Sequence, residues 1–128
     1  MHFANPFRDP LVTQRVVTFT KEQIAAYAEA SGDYNPIHLD DDFAKSVGLP
    51  GVIAHGMLQM GLLGTVAAEA AGGPEHLTRL SVRFAGMVVP GDAVTFAATA
   101  GDGGRLELSA VNQKGEPVLT KAAAHYLP

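Results

Sequence analysis

The uncharged stretch between Lys45 and Glu69 constrains the fold of this 128-residue chain more than any other feature. Within it, residues 56–71 are predicted to form one helix, about 24 Å long at the standard helical rise. The apolar side chains of this helix spread around its circumference, which is typical of a buried helix. They are Met57, Leu58, Met60, Leu62, Leu63, Val66 and Ala67. The rest of the chain is therefore expected to wrap around this helix.

A membrane-spanning helix is the alternative interpretation of the same stretch, which is long enough to cross a bilayer. Its apolarity is diluted by His55, Gln59 and the glycines Gly56, Gly61 and Gly64, and it has neither an aromatic belt nor a basic flank. The sequence therefore favours burial within protein and predicts no membrane partner.

Strands separated by glycine turns are predicted to cover the helix. After an irregular lead, residues 13–19 have the β-branched, partly alternating character of a strand. Four more strands are predicted at roughly residues 76–88, 93–100, 105–113 and 117–126. Their alternation places apolar side chains on one face, namely Leu80, Val82, Phe84, Val94, Phe96, Leu106, Leu108, Ala122, Ala124 and Tyr126. The pattern predicts an α+β fold, in which residues 1–128 form one domain with an antiparallel sheet curled around one helix.

The loop after the first predicted helix carries an acid and an imidazole. A capping box at Thr20 starts that helix, which is expected to run to about Ser31 and to end at Gly32. Asp33 and His38 are five residues apart, so neither a strand nor a helix would place them on one face. A bent loop braced by Pro36 is needed to bring them together.

The three consecutive aspartates Asp40, Asp41 and Asp42 are predicted to cap a short helix that runs to Val47. A Ca²⁺ loop is the alternative, but the alternating ligands and the closing glutamate of such a loop are missing. The chain has no cysteine, and its five histidines form no i, i+4 pair. The sequence therefore predicts no metal site, no disulfide and no thiolate chemistry.

The segment Gly32-Asp33-Tyr34-Asn35-Pro36-Ile37-His38 resembles the motif of the MaoC-like, (R)-specific enoyl-CoA hydratase family, also called hydratase 2. Phe43-Ala44, His55-Gly56-Met57 and the turn Val89-Pro90-Gly91-Asp92 fit the same family, so the resemblance spans most of the chain. It implies the hot-dog fold, a curved antiparallel sheet around a long central helix. It also implies addition of water to trans-2-enoyl thioesters without a cofactor.

Hydration of an enoyl thioester requires an activated water, a proton for the α-carbon, and stabilisation of the charge that develops on the thioester oxygen. Asp33 and His38 are suited to the first two tasks if they hold one water between them. The N–H of Gly56, at the head of a helix, is suited to the third. The resemblance implies these same three residues, and Asn35 is assigned to bracing the loop.

Residues expected to contact substrate are His55, Met57, Leu58, Met60, Arg79 and Arg83. For His55, capping or packing at the helix start is the more common role. Arg79 and Arg83 share one strand face and are candidates for the phosphates of CoA or an acidic carrier protein, although a solvated sheet face is the ordinary interpretation.

The sequence predicts a hydratase/dehydratase acting on a CoA ester. The alternatives are a dehydratase acting on acyl carrier protein, possibly within a heterodimer, and a non-catalytic acyl-binding subunit. The net charge of −4 indicates no nucleic-acid partner. A homodimer is expected because one curved sheet leaves an exposed edge strand. The first ten residues lack the pattern of a secretory signal, so a cytoplasmic location is predicted.

Overall fold

A five-stranded antiparallel sheet forms the framework of residues 12–127, which the computed structural model of the protein describes. The irregular lead predicted before residue 13 lies outside this range, except for Val12. The strands are β1 Val12–Thr18, β2 Leu77–Phe84, β3 Ala93–Ala100, β4 Arg105–Val111 and β5 Pro117–Tyr126. Their order across the sheet is β1-β3-β4-β5-β2, so β1 and β2 are the edge strands.

The helices begin and end where the sequence predicts, to within a residue. They are α1 Lys21–Ser31, α2 Asp41–Ser46 and α3 Gly56–Ala70, with short 3-10 turns at Pro36–His38 and Pro74–His76. The hydroxyl of Thr20 accepts a hydrogen bond from the N–H of Gln23 at 3.0 Å, and the Asp40 carboxylate accepts one from Phe43 at 3.1 Å. Gly32 ends α1 with φ 77°, a left-handed conformation that favours glycine.

The core lies between α3 and one face of the sheet. Val94, Phe96, Leu106 and Ala124 project from that face and are at most 2% exposed, as the alternation predicts. Helix α3 meets them with its own buried side chains, which are Gln59, Leu63, Val66 and Ala67. The predicted α+β architecture and the hot-dog arrangement are therefore confirmed.

Helix α3 is buried on one side only, whereas the sequence predicts burial around its whole circumference. Met57 is 60% exposed, and Gly61, Thr65 and Glu69 are exposed as well. The reason is that one sheet covers one side of a helix. The uncovered side forms an apolar groove of about 510 Å³. No helix among residues 12–127 is long and apolar enough to span a bilayer.

Strand β2 is shorter than the predicted residues 76–88 at both ends. His76 belongs to the preceding 3-10 turn. Beyond Phe84, the N–H groups of Ala85 and Gly86 both donate to the carbonyl of Val118, at 3.0 and 3.2 Å, so the regular ladder ends there. Strand β4 likewise ends at Val111, before the predicted residue 113, because the next residue supplies the hairpin turn: the Asn112 side chain accepts the N–H groups of Lys114 and Glu116.

Backbone hydrogen bonds fix the segment that leads into α3. The N–H of Ala54 donates to Val88 at 2.8 Å, and the N–H of Ile53 donates to Ile37 at 3.1 Å. Residue 88, predicted to lie in a strand, is instead bonded to the loop in front of α3. These two bonds place the head of α3 beside the loop that carries Asp33 and His38.

Candidate active site

Asp33 and His38 are brought together by the bent loop between α1 and α2. Asp33 follows the left-handed Gly32, and His38 ends the 3-10 turn that Pro36 begins. Nε2 of His38 lies 3.9 Å from Oδ2 of Asp33. This separation is too long for a direct hydrogen bond and leaves both atoms able to contact one water molecule. The histidine side chain is 9% exposed and the aspartate side chain 52% exposed, so the pair opens to solvent on the side of the acid.

Local hydrogen bonds hold the acid in place. The N–H of Asp33 donates to the hydroxyl of Ser31, and Oδ1 of Asp33 accepts from the N–H of Asn35, both at 3.2 Å. The side chain of Asn35 caps the 3-10 turn by accepting the N–H of Ile37 at 3.2 Å. Asn35 therefore lies between the two groups, with its backbone N–H bonded to the Asp33 side chain and its own side chain bonded to the backbone of Ile37.

A backbone carbonyl sets the tautomer of His38. Nδ1 lies 2.7 Å from the carbonyl oxygen of Ile53, and a carbonyl oxygen only accepts, so Nδ1 carries the proton. In the neutral ring Nε2 then has a free lone pair directed toward the Asp33 side. A neutral His38 thus places an acceptor nitrogen next to a carboxylate, which is the arrangement required of a general base.

His55 lies immediately behind this pair and is 2% exposed. Its ring stacks on that of His38, with centroids 3.7 Å apart and planes inclined by 23°. Its Nε2 lies 3.1 Å from the backbone carbonyl oxygen of Asp33, and Tyr27 of α1 contacts the ring edge-on with centroids 4.8 Å apart. His55 therefore touches both residues of the pair.

Gly56 is the first residue of α3, directly after His55. Its N–H has no hydrogen-bond acceptor within the described part of the chain, as expected for the first turn of a helix. A Cβ atom on this residue would lie 3.0 Å from Cε1 of Phe84, so the aromatic ring packs against the bare backbone. The helix head thus offers a free donor beside the Asp33 and His38 loop.

The other residues predicted to contact substrate lie at separate places on α3 and β2. Met57 is 60% exposed, Leu58 packs against the core and Met60 is half-buried. Arg79 and Arg83 are exposed on the edge strand β2. The apolar groove lies farther along α3 than these methionines, and its lining residues are Gly61, Gly64, Thr65, Ala68, Glu69, Gly73, Pro74 and Leu77.

Asp33, His38 and His55 each offer a possible metal-ligand atom, and these atoms all lie within 4.8 Å of one another. The stacking of the two rings prevents a shared ion, because nitrogen lone pairs lie in the ring planes. Planes inclined by only 23° meet far beyond the usual Zn–N distance of about 2.0–2.1 Å. Two imidazoles so arranged cannot both bind one metal, and the arrangement suits acid–base chemistry instead.

An ion pair between Lys21 and Asp41 joins the elements around the site. Lys21 Nζ lies 2.5 Å from Oδ2 of Asp41, while Oδ1 of Asp41 accepts the N–H of Val52 at 2.9 Å. The hydrogen bond from Lys21, followed by that from Val52, lowers the pKa of the Asp41 carboxyl. The same pairing raises the pKa of Lys21. Asp41 thereby links α1, α2 and the segment that presents the Ile53 carbonyl.

Three contributors to this site escape prediction from the sequence. The Ile53 carbonyl gives no residue-type signal, because every residue has one. Tyr27 follows the helical spacing of a core residue, and its contact with His55 depends on tertiary packing. Phe84 is predicted as part of the apolar sheet face, and that signal does not reveal that it covers Gly56.

Comparison with known proteins identifies the family of this chain. The family profile described as MaoC like domain matches residues 2–122. The chain is 42% identical over 89 residues to the peroxisomal hydratase-dehydrogenase-epimerase of Neurospora crassa, covering 70% of this chain and 9% of that protein. It is 41% identical over 107 residues to 3-hydroxyacyl-thioester dehydratase X of Mycobacterium tuberculosis, covering 82% of this chain and 36% of that protein.

A solved structure extends the similarity over the whole fold. The (R)-hydratase from A. caviae involved in PHA biosynthesis superposes with a TM-score of 0.80 at 27% identity, covering 98% of this chain and 100% of that one. The chain spans much less than the full length of the two curated relatives, so it corresponds to one part of each. With its profile match across residues 2–122 and its hot-dog fold, the chain belongs to the MaoC-like domain family.

Proposed function

We propose that this chain catalyses the reversible addition of water to trans-2-enoyl thioesters, giving (R)-3-hydroxyacyl thioesters. The observation that carries the proposal is the 3.9 Å separation between Asp33 Oδ2 and Nε2 of His38, whose other ring nitrogen is bonded to the Ile53 carbonyl. The similarity to an A. caviae protein named an (R)-hydratase supports the stereochemical outcome.

In the proposed reaction, one water bridges Asp33 and His38. As the water oxygen bonds to the β-carbon, His38 Nε2 takes one of its protons, and Asp33 accepts a hydrogen bond from the O–H that remains. The electron pair of the double bond moves toward the thioester, where negative charge develops on oxygen. The imidazolium then returns its proton to the α-carbon, so the elements of one water are added and both side chains regain their starting states.

The thioester oxygen is assigned to the N–H of Gly56. This donor lies at the positive end of α3, where it is suited to bind an oxygen on which negative charge develops. His55, the preceding residue, is bonded to the Asp33 carbonyl, so the helix head and the pair are held together. These groups supply every step of the proposed reaction, and no cofactor is required.

A CoA ester is the proposed substrate. Arg79 and Arg83 are exposed on β2 and carry the positive charge that either CoA phosphates or an acidic carrier protein would meet. The relative from M. tuberculosis is named a 3-hydroxyacyl-thioester dehydratase, which agrees with a thioester substrate. Carrier-bound acyl groups are therefore the second candidate.

The test is to offer the purified protein matched trans-2-enoyl chains of increasing length as CoA and as carrier-protein thioesters, and to determine the configuration of the product. We expect hydration of the CoA esters with (R) configuration, and a large loss in Asp33→Asn. Activity on carrier thioesters alone would favour the alternative hypothesis, a dehydratase that acts on acyl carrier protein. Inactivity on every thioester would contradict the proposal and favour a non-catalytic acyl-binding subunit.

We further propose that the protein is a homodimer. The uncovered side of α3 and the edge strand β2 together expose apolar groups and unpaired backbone, including Met57 at 60% and Phe84 at 52% exposure. A second copy would cover this surface. Sedimentation at micromolar concentration is expected to show a dimer, whereas a fully active monomer would refute it.

Two assignments of wider scope are also proposals. We assign residues 1–128 to one domain, since all described elements share one sheet and one core. We assign the protein to the cytoplasm on its sequence, although the N. crassa relative is named peroxisomal. Imaging of the full-length protein in its own cell tests the second assignment, and a peroxisomal or membrane pattern would contradict it.

A further inference from the structure

We propose that His55 is a positioning residue that holds Asp33 and His38 in reacting geometry. This inference rests on the proposed hydration, and it concerns a residue that the sequence places among the substrate contacts. His55 is 2% exposed and touches both members of the pair, one through a hydrogen bond and the other through ring stacking.

The hydrogen bond fixes the tautomer of His55. Its Nε2 lies 3.1 Å from the Asp33 carbonyl oxygen, so Nε2 must carry the proton and donate it. In the neutral ring Nδ1 is then a bare acceptor. This atom is buried and has no hydrogen-bond partner among residues 12–127.

A buried acceptor without a partner destabilises a fold, and a phenyl ring would occupy a similar volume without that penalty. What a histidine provides and a phenylalanine does not is the Nε2–H donor to Asp33. The donor is directed at the backbone of the residue that carries the carboxylate. Its loss would free that end of the loop while leaving the packing almost unchanged.

The stacked ring acts on the second member of the pair. Stacking on His55, with ring centroids 3.7 Å apart, restricts the plane of the His38 ring. The bond from Nδ1 to the Ile53 carbonyl holds one atom of the same ring. His55 in turn is contacted edge-on by Tyr27 of α1. Both contacts oppose rotation of the His38 ring, whose Nε2 faces Oδ2 of Asp33.

Direct contact with substrate does not fit this environment. An enoyl thioester presents a carbonyl acceptor and needs a donor, but the donor of His55 is already bonded to Asp33. The other nitrogen is an acceptor and is buried. Positioning is therefore the role that the contacts of His55 support.

The test compares His55→Phe, which keeps an aromatic ring against His38 but removes the donor, with His55→Gln, whose side-chain amide can reach the Asp33 carbonyl. We expect His55→Phe to lower kcat about 10- to 100-fold, the effect of misplacing reacting groups, with little change in KM. We expect His55→Gln to keep more of the turnover than His55→Phe. Backbone amide exchange at Asn35 and Ile37 should speed up in His55→Phe, while exchange in β3 and β4 stays slow.

Two results would overturn the inference. A wild-type kcat in folded His55→Phe, with or without a fall in melting temperature, would indicate a purely structural role, and a loss confined to KM would indicate substrate contact. If neither variant folds, ¹⁵N NMR of the wild-type rings decides: a His55 ring with its only proton on Nδ1 excludes the bond to Asp33, and a proton on Nε2 supports it. If the wild type hydrates no thioester, the proposed function fails, and the exchange and NMR results still decide whether His55 holds the loop.

Discussion

Nε2 of His38 faces Oδ2 of Asp33 across 3.9 Å, while Nδ1 of the same ring is bonded to the Ile53 carbonyl at 2.7 Å. The second contact bears on the first, because a neutral ring that donates from Nδ1 carries no proton on the nitrogen that faces the acid. A neutral histidine bound in this way can take a proton from a water held between the two side chains.

Asp33→Asn and His38→Gln should each lower kcat for hydration by roughly a hundred- to ten-thousandfold, the range for a general acid–base group. Each variant keeps side-chain volume and some hydrogen bonding but loses proton exchange. Melting temperature and kcat should be measured on the same samples, so that loss of chemistry is separated from loss of fold. A single variant with wild-type kcat at saturating substrate would exclude its residue from the proposed role.

The backbone donor at Gly56 can be removed by proline. His55 has φ −62° and ψ 137°, which suits a residue before proline, and Gly56 is not among the positive-φ glycines. Gly56→Pro should therefore fold and should lower kcat by about a hundred- to thousandfold, the cost of losing an oxyanion donor. The measurements are kcat and thermal stability.

Gly56→Ala is the matched control, because it keeps the N–H. Both variants add a Cβ, which would lie 3.0 Å from the Phe84 ring, so they share this steric effect. Repeating the pair with Phe84→Leu tests that effect separately. Equal kcat in folded Gly56→Pro and Gly56→Ala would show that another group stabilises the oxyanion.

The turn that delivers Asp33 depends on the conformation of Gly32. Gly32 has φ 77°, and a Cβ on it would meet no atom within 4 Å, so strain is the only cost of a side chain there. Gly32→Ala should reduce the free energy of unfolding by about 1–2 kcal/mol, measured by urea denaturation.

Gly61→Ala provides the comparison, because Gly61 is helical and within a single chain is equally free of neighbours. There the methyl should increase the free energy of unfolding, by about 0.5–1 kcal/mol. If both substitutions shifted stability in the same direction, backbone conformation would not be what distinguishes the two sites.

The Lys21–Asp41 pair predicts a pH dependence of stability. The pKa of Asp41 is lowered from 3.8, so its contribution is present above that value and is lost as pH falls through the folded-state pKa. The pKa of Lys21 is raised from 10.5, so its contribution is present below that value and is lost as pH rises through the folded-state pKa. The melting-temperature difference between wild type and Asp41→Asn should be constant between about pH 5 and 9 and should shrink outside that window.

Asp42→Asn removes the same charge from the same helix end and serves as the control, since Asp42 has no ion-pair partner in the described range. Between about pH 5 and 9, the melting-temperature difference between wild type and Asp42→Asn should be smaller than the difference between wild type and Asp41→Asn. A difference for Asp41→Asn that persisted unchanged at pH 3 would mean that the amide also disturbs the bond to Val52.

Local sequence signals predict the helices of this fold to within a residue, but they predict the ends of β2 and β4 less well. The Thr20 cap and Gly32 define α1 because both act through bonds within a few residues. The end of β2 depends instead on the Val118 carbonyl, which is distant in sequence, so an apolar alternation that continues to Val88 suggests too long a strand. One side of α3 is exposed because the sheet of a single chain covers only the other side. The spacing of apolar residues within the helix does not encode this.

In the candidate site, too, features within a short segment are predicted from the sequence, whereas contacts between distant segments are not. The motif around Asp33 and His38 and the glycine at the head of α3 are visible as residue types at a spacing. The bond from His38 to the Ile53 carbonyl and the stacking on His55 arise when two loops meet, and no residue type marks either. The bond to the Ile53 carbonyl nevertheless determines which nitrogen of a neutral His38 is free, and the stacking on His55 restricts the orientation of the ring.

The most direct test of one water held by Asp33 and His38 is a double-mutant cycle on kcat for a saturating trans-2-enoyl-CoA. Wild type, Asp33→Asn, His38→Gln and the double variant are measured under one condition, with melting temperatures to confirm folding. Since both groups act on the same water, removing the second should cost little once the first is gone, and the double variant should be about as slow as the slower single variant. A double variant whose loss equals the product of the two single losses would contradict the shared water.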